Sequence, residues 1–409
     1  MRIGIDYTSA ICQAAGIGRY TRELVNALLA HDTDDEYRLF AAAGGLRHRP
    51  VAAGDPRPGG AGGLWSPTVG GLPRRARLRL LPISDRRMAA LWHRLRLPIP
   101  VELFTGRVDL FHSPDFTLPA VWGARTLLTI HDLSFVTHPA TVHPLVLRHL
   151  HAAVPRSVRR ADHIIAVSEH TRRDLMAWLG IAQERISVIY HGVDSCFRRV
   201  EDRDRLAAVR ARYELPGRFI LHVGTLQPRK NLPRLIEAYA GLLAAGEGFG
   251  RNAVGTEGRL GLVLAGGKGW LDDDIYATIR RLGLESQVRI TGFVDDADLP
   301  ALYSLAELFV FPTLYEGFGL PVLEAMACGT PVVCSNASSL PEVAGEAALL
   351  VAPTDASGLT AAMRRGLTDA DLRSRLIAVG LARGQSFTWE EAARRTVAAY
   401  RRSARGGKK

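Results

Sequence analysis

Two glutamates stand eight positions apart in the stretch FPTLYEGFGLPVLEAMACGTPVV, which covers residues 311 to 333. Pro321 suits the first turn of a helix, and the glycine and proline after Cys328 suit its end, so a helix is predicted from about Pro321 to Cys328. Glu324 then lies on this helix and Glu316 on the loop before it. A carboxylate accepts hydrogen bonds from vicinal hydroxyls at roughly 1.5 to 3 kcal/mol each, which suits a sugar. Because this helix is otherwise apolar, Glu324 is expected to be buried and to need a partner.

A second candidate site lies in HVGTLQPRKNL, where a strand pattern runs into a turn with Arg229 and Lys230. A helix is predicted from about Leu232. Two cations beside a helix N-terminus favour an anion, because the helix dipole and the free N–H groups add to the side-chain charges. The pattern therefore predicts a site for a diphosphate, with a solvated basic turn as the alternative.

Two more predicted strand ends carry candidate residues. His131 directly follows an apolar strand, where a histidine can act as hydrogen-bond partner or proton carrier, although a lone histidine is more often structural. Gly16 and Gly18 precede a helical pattern, and glycines at such a turn let backbone N–H groups approach an anion. A tight turn without a ligand is an equal alternative, since the full G-x-G-x-x-G pattern is missing.

Short apolar runs bounded by turn residues recur along the chain, from RIGID and RTLLTIHD in the first half to FILHVGT and LFVFPT in the second. With helical stretches between them, these runs predict β-α-β units and two doubly wound parallel sheets. Charge replaces the apolar pattern near residues 195 to 206. We therefore predict an N-terminal domain over residues 1–197 and a C-terminal domain over residues 198–387.

Composition narrows the class of protein. The chain of 409 residues is 47% apolar and 23% charged, and it contains no run of eighteen apolar residues that would cross a bilayer. No signal-peptide pattern follows MRIGID, so a cytoplasmic location is expected. The four cysteines form no C-x-x-C pair, which fits a reducing compartment and makes disulfides and zinc unexpected. No D-x-D cluster stands at a strand end, so no metal is expected.

Net charge is +11, and residues 42–87 carry nine arginines against two aspartates. This segment also has nine glycines and six prolines, which predicts a long excursion without regular elements. The charge suits anionic membrane, nucleic acid or phosphorylated ligands, or only a solvated loop. Just after it, Met88, Leu91, Trp92 and Leu95 recur at helical spacing between arginines. A helix facing the core is favoured over one lying on a membrane surface.

These motifs resemble the glycosyl transferases group 1, the retaining enzymes of glycosyltransferase family 4. The glutamate pair within YEGFGLPVLEAMACGTPVV is the family signature, and the resemblance is strongest from Phe219 to Pro353. It implies an α/β fold of two Rossmann-like domains facing across a cleft, known as GT-B. It also implies that a C-terminal helix, residues 388–409, packs back onto the N-terminal domain.

The resemblance assigns roles to the candidate residues. Glu316 would contact the C3 and C4 hydroxyls of a donor sugar, and Glu324 would hold the ribose of the nucleotide. Arg229 and Lys230 would neutralise the diphosphate as it leaves, and His131 would lie beside the C6 hydroxyl. The remaining donor contacts would come from the backbone of Gly317, Phe318, Gly319 and Leu320, with Gly16 and Gly18 on the phosphate and acceptor side.

The function expected from the resemblance is transfer of a hexose from a nucleotide-diphosphate sugar to a glycan or a lipid-linked acceptor, without a cofactor. HDLSFVTHP and HVGTLQPRKNL resemble mannosyltransferases of bacterial surface-polysaccharide assembly, which favours GDP-mannose as donor. Two alternatives stay open: a nucleotide-sugar 2-epimerase of the same architecture, and a non-catalytic partner bound to a membrane or nucleic acid. The intact set of candidate residues argues against the second. Nucleic acid is not an expected partner, whereas peripheral contact with an anionic membrane through arginines 74, 75, 77, 79, 86 and 87 is compatible with an enzyme.

Overall fold

The computed structural model describes residues 1–13, 16–44, 72–246 and 259–405. These residues fall into two compact units. The first consists of Met1–Val136, Pro144–Gly192 and the segment that begins at Thr388, and the second of Thr137–His143 and Val193–Phe387. Each unit is built on one parallel sheet. The prediction of two doubly wound α/β domains is therefore confirmed.

The sheet of the first unit has seven strands: β1 (Arg2–Asp6), β2 (Glu36–Ala42), β3 (Ala76–Leu81), β4 (Leu110–Ser113), β5 (Arg125–Ile130), β6 (His163–Ala166) and β7 (Ile186–Val188). Their order is β3-β2-β1-β4-β5-β6-β7, and all neighbours pair in parallel. Every residue of β4 and β6 is buried. Burial on both faces explains why these strands are continuous apolar runs rather than alternating ones.

The helices of this unit before its C-terminal segment are α1 (Thr8–Cys12), α2 (Ile17–His31), α3 (Asp85–Ala89), α4 (Glu102–Thr105), α5 (Ser134–Thr137, whose last residue belongs to the second unit), α6 (Pro144–Arg160) and α7 (Glu169–Leu179). Among these helices, α2 buries Tyr20, Leu24 and Leu28 in the core. These positions share one helical face because they are four residues apart.

The second unit has six parallel strands: β8 (Arg218–Val223), β9 (Leu260–Ala265), β10 (Val288–Gly292), β11 (Leu308–Phe311), β12 (Val332–Ser335) and β13 (Ala348–Val351). Their order is β10-β9-β8-β11-β12-β13. The helices around this sheet are α8 (Arg203–Arg212), α9 (Leu232–Ala244), α10 (Asp273–Leu282), α11 (Leu299–Leu305), α12 (Leu320–Ala327), α13 (Leu340–Ala344), α14 (Ala356–Thr368) and α15 (Ala370–Gln385).

The last helix, α16 (Trp389–Arg405), belongs to the first unit and packs against α2. Thr388 begins it, because its Oγ1 accepts a hydrogen bond from the backbone N–H of Glu391 at 3.1 Å. Tyr400 is fully buried, and its hydroxyl lies 2.8 Å from Nδ1 of His112 on β4. A polar contact between the last helix and a central strand thus ties residues 288 positions apart in the chain.

The prediction that residues 42–87 lack regular elements is wrong for the part of this segment that the structure describes. Residues 76–81 form β3, which pairs with β2 over its full length, and Asp85–Ala89 form α3. Leu78 packs against the core and Leu81 is buried, and this burial of apolar side chains favours the strand. Residues 45–71, which hold most of the glycines and prolines, lie outside the described residues.

The amphipathic helix predicted after this segment is present in part. α3 continues into a π-helical turn, Ala90–Arg94, and Met88 and Trp92 are buried as expected. Leu95 is instead exposed, because the helix ends before it. The spacing therefore predicted a core position that lies on the surface.

The division between the units differs slightly from the predicted one. Val193 begins the main part of the second unit, where the sequence placed the change at residue 198. The short segment Thr137–His143 also belongs to the second unit, which the sequence did not indicate. Within that unit, the Trp270 indole Nε1–H donates to the carbonyl oxygen of Thr141 at 3.0 Å.

Candidate functional site

The candidate site of the second unit lies at the carboxyl ends of β8 and β11. These neighbouring strands are the switch point of the sheet, since β9 and β10 lie on one side of them and β12 and β13 on the other. Ligands of open parallel sheets bind outside the carboxyl ends of the strands at such a point. Arg229 and Lys230 come after β8, and Glu316 comes after β11. The topology therefore places the cations and the loop carboxylate together.

These three side chains form one cluster, in which Lys230 and Glu316 are buried and Arg229 is partly exposed. Lys230 Nζ lies 2.7 Å from Glu316 Oε1, and Arg229 Nη1 lies 3.0 Å from the same oxygen. Lys230 Nζ also stands 4.6 Å from the centre of the Phe311 ring, which adds a cation–π contact. Two cations and one carboxylate leave one formal positive charge in a buried place, which suits an anionic ligand.

Backbone contacts fix the two loops to each other. The carbonyl oxygen of Arg229 accepts a hydrogen bond from the N–H of Leu314 at 2.9 Å, and Arg229 Nη1 donates to the carbonyl oxygen of Tyr315 at 2.6 Å. Asn231 takes the left-handed conformation, and its Nδ2 donates to the carbonyl oxygens of Pro312 and Pro353. The cluster is thus held by main-chain contacts as well as by its own charges.

The charges around Glu316 decide its protonation. Burial alone would raise the pKa of this carboxyl, but the charges and hydrogen bonds of Arg229 and Lys230 outweigh burial and lower the pKa below its ordinary value. Glu316 is therefore an anion at neutral pH, able to accept hydrogen bonds from hydroxyl groups.

His222, at the end of β8, belongs to the surroundings of this cluster and was not singled out from the sequence. Its ring stacks on Phe311 at 5.4 Å, and Nδ1 lies 3.0 Å from the carbonyl oxygen of Val310. Burial, followed by the charge of Lys230, lowers the pKa of His222 to about 3. The imidazole is therefore neutral and does not add to the positive charge. Its place at a strand end, in the motif HVG, was the available signal.

The segment that carries the four predicted backbone contacts leads directly into α12, which begins at Leu320, one residue before the predicted start. Gly319 precedes it with φ of +110°, a conformation that favours glycine. A Cβ at this position would lie 2.6 Å from Cδ2 of Leu340. Ser339 Oγ stabilises the same turn through the carbonyl oxygens of Glu316 and Phe318. Glycine at position 319 is therefore required by local geometry, whether or not a ligand is bound.

Glu324 is buried on α12, as predicted, and it has the partner that its burial requires. The Tyr303 hydroxyl donates to Glu324 Oε2 at 2.9 Å from α11. Aromatic and apolar neighbours surround Tyr303, whose ring meets those of Phe197 and Phe309. One carboxylate oxygen is thus fixed by the protein, which orients the side chain.

The other predicted residues lie in the first unit. His131 follows β5 and is buried, and its Nε2 lies 2.8 Å from the carbonyl oxygen of Pro114. Because a carbonyl only accepts, Nε2 carries the proton. Burial lowers the pKa of His131 to about 4, against the opposing effects of the Pro114 hydrogen bond and the Asp132 charge. The geometry therefore favours a neutral hydrogen-bonding role over a proton carrier at neutral pH.

Gly16 and Gly18 lie at the start of α2, next to the same region. Gly16 precedes the helix with φ of +59°, and a Cβ on Gly18 would lie 2.1 Å from the carbonyl oxygen of Gln13. Two residues further on, the ring of Tyr20 makes an edge contact with His131 at 4.8 Å between centroids. The helix start and the histidine thus share one part of the unit.

Sequence reasoning missed two carboxylates at the switch point of the first sheet. Asp6 ends β1 and Asp115 comes shortly after β4, its neighbour in the sheet. Burial, and then the nearby charge of Asp6, raises the pKa of Asp115 to about 7. For Asp6 the signal was available, since this residue ends the apolar run RIGID.

A buried histidine predicts a pH effect on this unit. His112 lies between Tyr400 and Thr129 Oγ1, and burial lowers its pKa to about 3, below the ordinary 6.5. Between these values the unfolded chain binds a proton that the folded chain does not, so stability falls as pH falls. At pH 4.5 this amounts to about 2 to 3 kcal/mol, or roughly 5 to 10 °C in melting temperature. Scanning calorimetry at pH 7.0 and 4.5 should show a smaller decrease for His112→Gln. Equal decreases in both proteins would contradict the assignment.

Two parallel-sheet units with this topology have the GT-B fold, which a solved structure of TM-score 0.68 shares. Residues 210–382 match the family model described as glycosyl transferases group 1, and residues 14–196 match the model described as glycosyltransferase family 4. The chain belongs to this family, which confirms the resemblance seen in its motifs.

The relatives of this chain and the solved structures that resemble it agree with this family assignment. The chain is 33% identical to the O-antigen chain mannosyltransferase B of Escherichia coli over 394 residues, which are 94% of this chain and 96% of that protein. It is 36% identical to the serotype-specific mannosyltransferase WbdA of Escherichia coli over 249 residues, 59% of this chain and 29% of that one. The structure of sucrose-phosphate synthase from Thermosynechococcus elongatus matches with a TM-score of 0.72 at 23% identity, over 98% of both chains, and shows the common fold.

Proposed function

We propose that this glycosyltransferase transfers mannose from GDP-mannose to a glycan or a lipid-linked acceptor, with retention of the anomeric configuration. The observation that carries the proposal is the buried cluster of Arg229, Lys230 and Glu316 at the switch point of the second sheet. The preference for mannose draws on the relatives, which are named as an O-antigen chain mannosyltransferase and a serotype-specific mannosyltransferase. The four free cysteines fit the reducing cytoplasm as the place of the reaction.

In this proposal the cluster binds both ends of the bond that breaks. Glu316 accepts hydrogen bonds from the sugar hydroxyls at C3 and C4, while Lys230 and Arg229 face the diphosphate. A nucleoside diphosphate is already an acidic leaving group, so it needs charge neutralisation rather than a proton. Preorganised charges in a buried site stabilise the developing negative charge without reorganisation.

The nucleotide would be held further along the same loop and helix. Glu324 would accept hydrogen bonds from the ribose, with its carboxylate oriented by the Tyr303 hydroxyl. The backbone N–H groups from Gly317 to Leu320 complete the donor contacts. His131, as a neutral imidazole, contacts the sugar near its C6 hydroxyl, and Gly16 and Gly18 line the acceptor side.

We further propose that the reaction needs no metal, because Lys230 and Arg229 supply the positive charge that a cation would bring to the diphosphate. Within the part of the chain that the structure describes, no three histidine, cysteine, aspartate or glutamate side chains are grouped so as to hold a metal ion. Transfer that is unchanged by EDTA is the expected result. Loss of transfer in EDTA and its recovery with magnesium would overturn this part.

Titration calorimetry with GDP, UDP and ADP tests the donor assignment, followed by product analysis with GDP-mannose. GDP is expected to bind in preference to the other two nucleotides. NMR of the product should show the anomeric configuration of the donor. Preferred binding of UDP would contradict GDP-mannose and assign a UDP-sugar as the donor. Release of free sugar and nucleotide as the only products, in the presence of candidate acceptors, would favour the 2-epimerase alternative.

A further inference from the structure

The first unit exposes a cluster of large apolar side chains on the elements that follow β3. Seven of the twelve exposed large apolar residues among those described lie between residues 80 and 146. Trp122 is 81% exposed and Leu145 is 74% exposed. We call six of these residues the apolar surface: Leu95, Leu97, Leu103, Trp122, Leu145 and Val146. Isolated exposed leucines need no explanation, but a group of this size on adjoining elements does.

Direct contacts connect one part of this surface. Glu102 Oε1 accepts hydrogen bonds from the backbone N–H groups of Trp122 at 2.9 Å and Gly123 at 3.1 Å. Leu103 is the next residue on α4, and its carbonyl oxygen accepts a hydrogen bond from Arg79 Nη1 at 3.3 Å. An exposed tryptophan, an exposed leucine and an arginine of the edge strand therefore lie side by side.

Ring contacts connect the remainder. Trp92 is buried, packs against the ring of Phe104 on α4 at 5.9 Å, and donates to the carbonyl oxygen of Ile99. This fixes the turn that carries Leu95 and Leu97. The next residue, His93, meets His149 of α6 at 5.9 Å. Leu145 precedes His149 by one helical turn, so it lies on the same face of α6.

Arginines accompany these apolar side chains. Six exposed arginines stand on the same elements or directly beside them: Arg77, Arg79, Arg94, Arg96, Arg107 and Arg148. They outnumber the carboxylates of the same elements, of which Glu102 accepts hydrogen bonds from the backbone of Trp122 and Gly123 and Asp109 pairs with Arg2. The arginines therefore dominate the local charge. Arg75, by contrast, is engaged inside the fold, where its guanidinium donates to the carbonyl oxygen of Leu29.

We propose that the apolar surface and its arginines bind a membrane that contains anionic lipids, with the leucines and Trp122 entering the headgroup region. Tryptophan and leucine partition into this region, while arginine heads remain beside lipid phosphates. The inference rests on the proposed function in its choice of partner, because a lipid-linked acceptor would be presented at such a surface. Charge complementarity argues for lipid over a second copy of the chain, since a two-fold contact would place arginines against arginines.

The mode of contact is peripheral. Within the described residues, none of the helices has the length and apolar character that crossing a bilayer requires. Each arginine near an anionic surface contributes about a fivefold change in partition coefficient at low salt, and the contribution falls as ionic strength rises. Binding should therefore depend on anionic lipid and on salt.

Vesicle sedimentation tests the proposal. One set of vesicles contains phosphatidylcholine alone, and the other contains phosphatidylcholine with about 30 mol% phosphatidylglycerol. The wild type should bind the anionic vesicles and be released by salt. Arg94→Glu/Arg96→Glu should lower the partition coefficient by about 25-fold or more, at about fivefold for each charge lost. Leu103→Ser/Trp122→Ser should lower vesicle binding and leave the dependence of binding on salt unchanged.

The chain offers matched controls. Trp178, 58% exposed on α7 of the same unit, lies outside the apolar surface, so Trp178→Ser should bind vesicles like the wild type. Arg280→Glu/Arg364→Glu makes the same charge change on the second unit. GDP binding by calorimetry, measured on each variant, reports the integrity of the donor site separately. Failure of GDP binding with intact vesicle binding would count against the proposed donor only.

Three results would overturn the membrane assignment. The first is equal sedimentation with neutral and anionic vesicles. The second is an equal loss of binding in the Trp178 or Arg280/Arg364 controls, which would indicate a general charge or solubility effect. The third is a concentration-dependent dimer in analytical ultracentrifugation that Leu103→Ser/Trp122→Ser abolishes, which would assign the apolar surface to a second copy of the chain.

Discussion

Lys230→Ala is expected to lower kcat for sugar transfer about a hundred- to a thousandfold, the scale on which enzymes lose rate when one preorganised electrostatic donor is removed. Lys230 is buried, and its ammonium lies 2.7 Å from Glu316 and over the Phe311 ring. The position of this ammonium group is therefore fixed in advance, so it can stabilise a diphosphate without reorganisation of the site. The measurement is steady-state transfer at saturating donor, so that kcat and KM are separated.

Arg229→Ala is expected to lower kcat by a similar factor, about a hundred- to a thousandfold. Its guanidinium also donates to the carbonyl oxygen of Tyr315, so this variant should in addition loosen the loop that carries Glu316. Lys230→Ala is the cleaner test for that reason. The matched controls are Lys268→Ala and Arg234→Ala, two cations of the same unit that stand at the surface. Unchanged turnover in either Lys230→Ala or Arg229→Ala would refute the assignment of the cluster to the leaving group.

Glu324→Gln is expected to weaken nucleotide binding by about 10- to 150-fold, which corresponds to the roughly 1.5 to 3 kcal/mol of a hydrogen bond to a charged group. The substitution keeps the shape of the side chain on α12 and removes its charge. Because Glu324 would contact the ribose in ground state and transition state alike, KM for the donor should rise while kcat stays close to the wild-type value. Calorimetric titration with GDP measures the binding change directly.

Two variants separate this role from folding. Tyr303→Phe removes the hydroxyl that orients Glu324 and should weaken GDP binding less than Glu324→Gln does. Glu346→Gln, at an exposed position of the same unit, should leave GDP binding unchanged. Tight GDP binding by a folded Glu324→Gln protein would exclude the ribose assignment. Weak binding combined with a lowered melting temperature would assign Glu324 to structure instead.

Local patterns predicted much of this molecule correctly. The helix that carries Glu324 begins within one residue of its predicted start, because a proline and a following Gly-x-Pro mark its ends. The helix after Lys230 begins at Leu232, and Thr388 starts the last helix, as predicted. Signals of this kind act over a few residues, so they can be read without knowing the fold.

Predictions failed where a distant partner decided the outcome. Residues 76–81 became a strand because β2 offers hydrogen bonds along its whole length. Leu95 matched the helical spacing of a core residue, but the helix ended one residue earlier and left it exposed. Thr137–His143 joined the second unit through contacts such as that between Trp270 and Thr141. Neither β2 nor Trp270 is visible as a partner within a local window.

Local signals in the chain established the α/β class, the two sheets, the family and the candidate site residues, because strand ends, caps and motifs are local features. The folded chain was needed to show that Lys230 and Arg229 share one oxygen of Glu316, that burial lowers the pKa of His131, and that several large apolar side chains of the first unit are exposed. Charge pairing and burial depend on distances between segments far apart in the chain, such as the 86 positions between Lys230 and Glu316. Those distances are fixed by strand order, and strand order is a property of the whole sheet.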